Sequence, residues 1–177
     1  MGLFKSKEEK LAERKALVKQ SMKELEKRIR KLKEQEAVYI KAAKVAQQEN
    51  LPEQIALAKN ALKANVDTTA SGLQYTIIAA GADEKIQPQD TVWVNYKGSL
   101  IDGTVFDQNE NTEFVANRVI RGWTEGLGLL GEGGKAVFYI PADLAYGDRG
   151  NQAIQPNSVL VFDVEVLKVG RYVPAEK

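Results

Sequence analysis

The residues that could do chemistry in this chain are aromatic rings, hydroxyls and carboxylates, because its 177 residues include no Cys and no His. Without Cys there is no thiolate nucleophile, disulfide or cysteine zinc site, and without His the commonest general base and metal ligand is missing. We therefore predict no metal and no cofactor. Any catalysis has to use carboxylates, hydroxyls, backbone groups or the shape of a cavity.

The segment VIRGWTEGL, residues 119–127, places the bulkiest side chain between two glycines. Trp123 follows two β-branched residues, at a point where a short helix is predicted to begin. A Trp side chain usually buries its large surface in a core. It could instead form the floor of a binding pocket, and this segment alone leaves both interpretations open.

Further aromatic and acidic side chains stand at the ends of predicted strands. Tyr96 ends one strand, and Phe106 and Asp107 end its hairpin partner. In any β-rich domain Phe162 would be a core residue, and Asp107 could simply cap a turn. The individual residues are therefore ambiguous, and their order along the chain decides between the interpretations.

Four motifs follow one another between residues 73 and 169. They are V-x-Y-x-G-x-L-x-D-G-x-x-F-D, V-I-x-G-W-x-E-G-L, I-P-x-x-L-A-Y-G and P-N-S-x-L-x-F-D-V-E-V-L. In this order they make the sequence resemble the FKBP-type peptidyl-prolyl cis–trans isomerases. The lead-in TASGLQY, residues 69–75, is similar to the microbial Mip/FkpA-like branch, in which a helical N-terminal region precedes the isomerase domain.

The resemblance implies an active site that rotates X–Pro peptide bonds. It assigns catalytic roles to Asp107, Tyr146, Ile120 and Trp123, and substrate binding to Tyr96, Phe106, Phe114, Val119, Ile154 and Phe162. Trp123 would be the floor beneath a proline ring, and the backbone N–H of Ile120 would bind a ligand carbonyl. The Tyr146 hydroxyl would donate to the carbonyl of the rotating bond. Asp107, held by Tyr96, would lie beside the twisting imide.

The chemistry of X–Pro rotation suits a site without His or Cys. The rotation breaks no covalent bond, but it crosses a barrier of ~18–20 kcal/mol because amide resonance is lost midway. Water stabilises the planar, polarised amide more than the twisted one. An apolar pocket that replaces water, with oriented donors, therefore favours the twisted geometry.

Two segments depart from the family's pattern. Residues 108–113 form a segment that is shorter than usual and lacks the common Gly and Pro, which affects the placement of Phe114. In the loop 148–156, Gln155 stands where a first proline is frequent, which predicts a more mobile loop around Ile154.

The charge and the hydrophobic pattern divide the chain. Residues 1–64 carry 16 Lys/Arg against 9 Asp/Glu, whereas the remaining residues carry 9 against 15, obtained by subtraction from totals of 25 and 24. We predict a helical dimerisation or client-holding arm over 1–64, a linker over 65–72, an isomerase domain over 73–170 and a tail over 171–177. The predicted fold class is α+β: a twisted antiparallel sheet wrapped on one short helix (124–130), after an all-α arm of one long and one short helix.

The long helix of the arm is predicted over 6–48, where Pro and Gly are absent. Its apolar seam recurs at sevens through Leu11, Val18, Leu25, Leu32 and Tyr39, which indicates a partner helix. A short helix, capped by Asn50 and ending near Ala64, would fold back on the first helix or pack against a second copy. The basic residues alternate with Glu, so we expect a solvated face and no nucleic-acid partner.

The function predicted from these features is isomerisation of X–Pro bonds in unfolded or partly folded polypeptides, with chaperone activity from the arm. The expected partners are proline-containing clients, macrolide inhibitors of the rapamycin type and a second copy of the chain bound through the N-terminal helices. One alternative is a proline-peptide binding module with incidental turnover. Another is membrane-surface binding by residues 1–64, which faintly resemble the opening hairpin of ESCRT-III subunits although the later helices of such a subunit are absent.

The location is predicted from the chain as it stands. We expect no membrane span, and no export signal is visible in MGLFKSKEEK, so the prediction is cytoplasmic. A periplasmic or envelope location is the alternative if a signal peptide was removed. Gly2 and Ser6 also satisfy a myristoylation pattern.

Overall fold

The computed structural model describes residues 6–48 and 52–174. Its contacts divide the chain into two compact units, Met1–Lys41 and Ala42–Lys177. The predicted Asn50 cap and the myristoylation site at Gly2 lie outside the described residues. In the part that is described, no helix is long and apolar enough to span a bilayer.

The predicted long helix is confirmed as α1, Lys7–Gln48. Ser6 and Glu9 begin it with a reciprocal pair: the Glu9 N–H donates to Ser6 Oγ at 3.1 Å, and the Ser6 N–H donates to Glu9 Oε2 at 2.7 Å. The seam residues Leu11, Leu25 and Leu32 are 54%, 56% and 60% exposed. Among the described residues of α1, these apolar side chains are thus exposed.

The second unit contains one antiparallel sheet, which confirms the predicted fold class. Over the described residues it has six strands in the order β1-β2-β5-β6-β3-β4. Their bounds are β1 Asp67–Thr68, β2 Gln74–Ala79, β3 Thr91–Leu100, β4 Val105–Val115, β5 Lys135–Ile140 and β6 Leu160–Gly170. Alternate residues of β3, such as Val92 and Val94, are fully buried, as their period of two predicts.

The short helix against the sheet is α3, Arg121–Leu127, so the predicted range of 124–130 was wrong by three residues. The helix begins as soon as the chain leaves Ile120, whose carbonyl accepts the N–H groups of Trp123 and Thr124 at 2.9 and 3.2 Å. The residues after Leu127 form turns rather than further helix.

The glycines around Trp123 let α3 approach the sheet closely. A Cβ on Gly126 would lie 2.7 Å from Cζ of Phe138, and a Cβ on Gly122 would collide with Ile140. Both partners belong to β5. Since only glycine leaves room at these two positions, the helix backbone rests against β5, and Trp123 reaches the side chains of β3 and β6.

Helix α2, Pro52–Ala61, packs on the sheet instead of standing apart from it. Asn60 donates to Oε1 of Gln74 at 2.9 Å, and Nε2 of Gln74 donates to the carbonyl of Leu57 at 2.9 Å. Asn60 and Gln74 are each 4% exposed. The contacts therefore group α2 with the sheet, whereas the sequence grouped it with the arm. Whether the segments 1–64 and 73–170 fold independently, as the predicted boundaries imply, remains a prediction.

Strand β4 runs through the 108–113 segment that departs from the family's pattern. Thr112 pairs with Val94 and Asn109 pairs with Tyr96, so two residues of β4 face one residue of β3. One of them, Asn111, has a φ of +48° and donates its N–H to Oδ1 of Asn95 at 2.9 Å. This bulge absorbs the extra residue, and the strand continues to Phe114 and Val115.

Candidate active site

The inner face of the sheet carries a group of aromatic side chains that we call the ring cluster. Phe114, Tyr96 and Phe162 surround Trp123 with ring centroids 5.7, 5.4 and 5.2 Å from its own. All three meet the indole edge-on, at interplanar angles of 72–89°. Phe106 completes the cluster, 5.5 Å from Phe162.

Exposure increases from the centre of the ring cluster outward. Trp123 and Phe162 are 4% and 6% exposed, whereas Tyr96, Phe106 and Phe114 are half-buried. The two polar candidates, Asp107 and Tyr146, are exposed. The arrangement is an apolar centre with its acid and one of its hydroxyls at the edge, where a polypeptide could reach them.

A second bulge in β4 brings Phe106 and Asp107 to the same side. Asp107 pairs with Gly98, but Ser99 pairs with Val105, so Phe106 is left without a direct partner. Neighbouring strand residues normally point to opposite faces. The bulge breaks that alternation, and Phe106 enters the ring cluster while Asp107 turns to Tyr96.

The acid is held by a hydroxyl of the ring cluster. Tyr96 Oη donates to Asp107 Oδ2 at 2.8 Å, and Nδ2 of Asn109 donates to Tyr96 Oη at 3.4 Å. Burial, followed by the bond to Asp107 and its negative charge, raises the pKa of Tyr96 above the ordinary value for tyrosine, although the Asn109 bond acts in the opposite direction. The Tyr96 hydroxyl therefore stays protonated at neutral pH and remains a donor.

Two residues of the site were missed by sequence reasoning. Asn109 lies in the segment interpreted only as a departure from the pattern. Gly98 lies under two rings: a Cβ there would stand 2.6 Å from Phe162 and 2.7 Å from Phe106. The motif glycine at 98 was a usable signal for such close packing, but nothing in the sequence pointed to Asn109.

Val119 and Ile120 lead directly into α3 and are half-buried against the core. With φ −58° and ψ 149°, Ile120 is still extended where the helix begins after it. Val119 and Ile120 thus lie four and three residues before Trp123, where the extended chain meets the helix. The role of the Ile120 N–H toward a ligand remains a prediction.

The two remaining candidates lie on the loop between the Ala142–Leu144 turn and β6. Ile154 is 2% exposed and belongs to the core, and Tyr146 is 39% exposed. The electrostatic influence of Tyr146 is the smallest of the causes that raise the pKa of Tyr96. The acids Asp163 and Glu165 lie on the outer face of the sheet, where they line a groove to which Tyr96 and Asn109 also contribute.

Comparison with known proteins identifies the class. The family model described as "FKBP-type peptidyl-prolyl cis-trans isomerase" matches residues 82–167, and that described as "Domain amino terminal to FKBP-type peptidyl-prolyl isomerase" matches residues 3–77. The crystal structure of FkpA from Escherichia coli is similar with a TM-score of 0.66 and 38% identity, covering 94% of this chain and 74% of that one. The chain belongs to the FKBP-type peptidyl-prolyl cis–trans isomerase family.

Curated relatives agree with this assignment. A probable FkpA from Neisseria meningitidis is 50% identical over 119 residues, which are 64% of this chain and 44% of the relative. The "Outer membrane protein MIP" of Legionella longbeachae is 44% identical over 118 residues, 64% of this chain and 51% of the relative. The chain thus spans about half the length of the curated relatives it matches.

Proposed function

We propose that this protein is a peptidyl-prolyl cis–trans isomerase that acts on X–Pro bonds of unfolded or partly folded polypeptides. The observation that carries the proposal is the Tyr96–Asp107 hydrogen bond of 2.8 Å at the edge of an otherwise apolar ring cluster. A proline ring fits an apolar aromatic surface, whereas the imide it carries needs donors and acceptors at the margin. The motif order and the family membership support the same activity.

In this mechanism the site lowers the barrier by favouring the twisted imide. Rings that exclude water remove part of the solvation that stabilises the planar, polarised amide. Tyr146 would donate to the substrate carbonyl, and Asp107 would interact with the imide as its double-bond character falls. A barrier lower by about 5 kcal/mol would accelerate the rotation by between three and four orders of magnitude.

The burial of Trp123 adds a condition to this mechanism. The indole is 4% exposed, and the three rings around it meet it edge-on. Little indole surface is therefore open to a proline ring, and Tyr96 and Phe114 are the half-buried rings beside it. We therefore propose that substrate opens the ring cluster, with Phe162 and Phe106 keeping their places beside Gly98.

The test uses the full chain in a refolding reaction limited by proline isomerisation. We expect wild-type protein to accelerate the slow phase, and Asp107→Val and Trp123→Ala each to remove at least nine-tenths of the acceleration. Asp163→Val, on the outer face of the sheet, is the matched control and should keep the wild-type rate. A wild-type protein that gives no acceleration would refute the proposal.

Affinity separates an isomerase from the binding-module alternative. If wild-type turnover were negligible and Asp107→Val bound an unfolded client as tightly as wild type, the pocket would be a docking site. Rapamycin-type macrolides, proposed here as inhibitors, would compete with the client in either case.

We further propose that α1 joins two copies of the chain and holds clients, giving chaperone activity. The exposed seam Leu11, Val18, Leu25 and Leu32 supports this, because an apolar stripe of this length needs a partner helix. Leu25→Glu should convert a dimer to a monomer in light scattering, whereas Glu24→Gln should not.

For the location of the protein we propose the cell envelope, and the name of the Legionella relative supports this proposal. The names of these relatives give no support to the cytoplasmic prediction. Cell fractionation tests the proposal.

A further inference from the structure

Helix α2 makes a direct contact with the loop that carries Tyr146. Oε2 of Glu53, in the first turn of α2, accepts the N–H of Val159 at 3.0 Å. The two residues are 106 positions apart, so this bond is purely tertiary. Glu53 is half-buried and Val159 is 2% exposed, which protects the bond from water.

Val159 stands at the neck of the loop 146–158, which we call the flap. The N–H of Asn157 donates to the carbonyl of Gly147 at 2.9 Å and closes the neck. Gly147 adjoins Tyr146 on one side, and Asn157 is two residues from Val159 on the other. Glu53 therefore holds the chain close to one of the backbone bonds that fix the segment around Tyr146.

The interior of the flap is bonded to itself. Oδ1 of Asn151 accepts the N–H groups of Ala153 and Ile154, both at 2.8 Å, and the N–H of Asn151 donates to the carbonyl of Ile154 at 2.8 Å. These bonds make the outer part of the flap a local unit. The flap is therefore held against the rest of the domain at two points, the buried side chain of Ile154 and the neck.

The opposite end of α2 is fixed independently. The buried pair Asn60 and Gln74 ties it to β2, and Gln74 also bonds the carbonyl of Leu57. With one end anchored on the sheet, the other end presents the carboxylate of Glu53 at a defined point. Helix α2 is thus a fixed support from which Glu53 reaches the flap.

We propose that Glu53 is a positioning residue of the active site: its carboxylate fixes the neck of the flap and thereby the locations of Tyr146 and Ile154 relative to the ring cluster. This inference rests on the proposed isomerase function. It gives α2, which the sequence assigned to the arm, a part in the geometry of the site.

The chain offers a matched control for the test. Oε2 of Glu132 accepts the N–H of Val169 at 2.9 Å, which is the same type of bond at the far end of β6. We would compare Glu53→Ala, Glu53→Gln and Glu132→Ala in the full-length protein. The measurements are kcat and KM on proline tetrapeptides, peptide affinity, and amide hydrogen exchange within the flap.

For Glu53→Ala we expect kcat/KM to fall by about three- to tenfold and exchange in 146–158 to accelerate, because a charge-assisted bond at the neck is lost. Glu53→Gln keeps an acceptor oxygen and should stay within about twofold of wild type. Glu132→Ala should change neither quantity.

The inference is overturned if Glu53→Ala shows wild-type exchange in the flap and wild-type kinetics, or if Glu132→Ala produces the same losses. A wild-type protein without turnover would refute the proposed function separately. If wild-type turnover is absent, peptide affinity and hydrogen exchange in the flap test the positioning role of Glu53. Wild-type values of both in Glu53→Ala would overturn that role.

Discussion

The hydroxyl of Tyr96 donates to Asp107 across 2.8 Å, joining two antiparallel strands at the edge of the ring cluster. The two residues are not direct partners, because Asp107 pairs with Gly98 and Tyr96 pairs with Asn109. Their side chains meet on a diagonal across Gly98, which has no side chain of its own. The acid is therefore oriented by a group that is half-buried among rings.

Tyr96→Phe should reduce kcat/KM by about tenfold, since losing one hydrogen bond to a charged group costs about 1.5 kcal/mol. The peptidyl-prolyl assay measures this. Asp107 is exposed, so water replaces the lost donor and the thermal midpoint should change little. Wild-type kinetics in Tyr96→Phe would show that the orientation of Asp107 by this hydroxyl is irrelevant to the rate.

Trp123 emission should report substrate binding. Trp93 lies on the outer face, with the Lys168 ammonium 4.9 Å from its ring centroid, so Trp93→Phe leaves Trp123 as the only indole in the chain. A proline peptide that displaces the surrounding rings should change that emission saturably. In the reciprocal variant, Trp123→Phe, the remaining indole should not respond. Binding detected by calorimetry without a change at Trp123 would contradict the opening of the ring cluster.

Gly126→Ala should destabilise the domain by about 1–3 kcal/mol, because the added methyl group overpacks the contact with Phe138. Gly128→Ala is the control: Gly128 has a φ of −62°, and its Cβ would stand 3.3 Å from the nearest atom. Urea unfolding measures both variants. Equal losses of free energy would mean that the close approach of α3 to β5 is not what requires glycine.

Asp90 provides a prediction about pH and stability. Burial alone would raise its pKa, but the N–H groups of Gln87 and Tyr172 and the Arg171 guanidinium, the latter 2.7 Å away, hold the pKa of Asp90 below its ordinary value. A lowered pKa in the folded state means that the stabilisation is complete above the unfolded pKa. The stabilisation from Asp90 is lost as the pH falls from the unfolded pKa of about 4 through the lower pKa of the folded state.

Asp90→Asn should therefore lower the free energy of unfolding at pH 7 by about 2–3 kcal/mol, because it removes the buried charged partner of Arg171 and leaves only the exposed Glu84, 3.5 Å away. At pH 3 the difference from wild type should shrink. Asp102→Asn, at an exposed turn where the carboxylate accepts the Thr104 N–H at 2.9 Å, should cost far less at pH 7. Urea unfolding at both pH values measures these differences. If Asp90→Asn lowered the free energy of unfolding equally at pH 7 and pH 3, the charge of Asp90 would not be the source of the stabilisation.

The sequence by itself determined the elements and the identities of the candidate residues. Helix α1 followed from a long run of helix formers, and the buried face of β3 followed from its period of two, because both signals depend on near neighbours along the chain. The motif order was sufficient to indicate the class of fold. It also identified Trp123, Tyr96 and Asp107 as candidates that the structure brings together.

Tertiary structure alone decided how those candidates are arranged. The bulge at Phe106 depends on how β3 pairs with β4. The packing of α2 through Asn60 and Gln74 and the bond from Glu53 to Val159 join residues 14 and 106 positions apart. Strand register and side-chain packing follow from the combined shape of several elements, and a local pattern has no information about that shape. For this reason Trp123 was recognisable as a candidate from its motif, but only the folded chain shows how deeply its ring is covered.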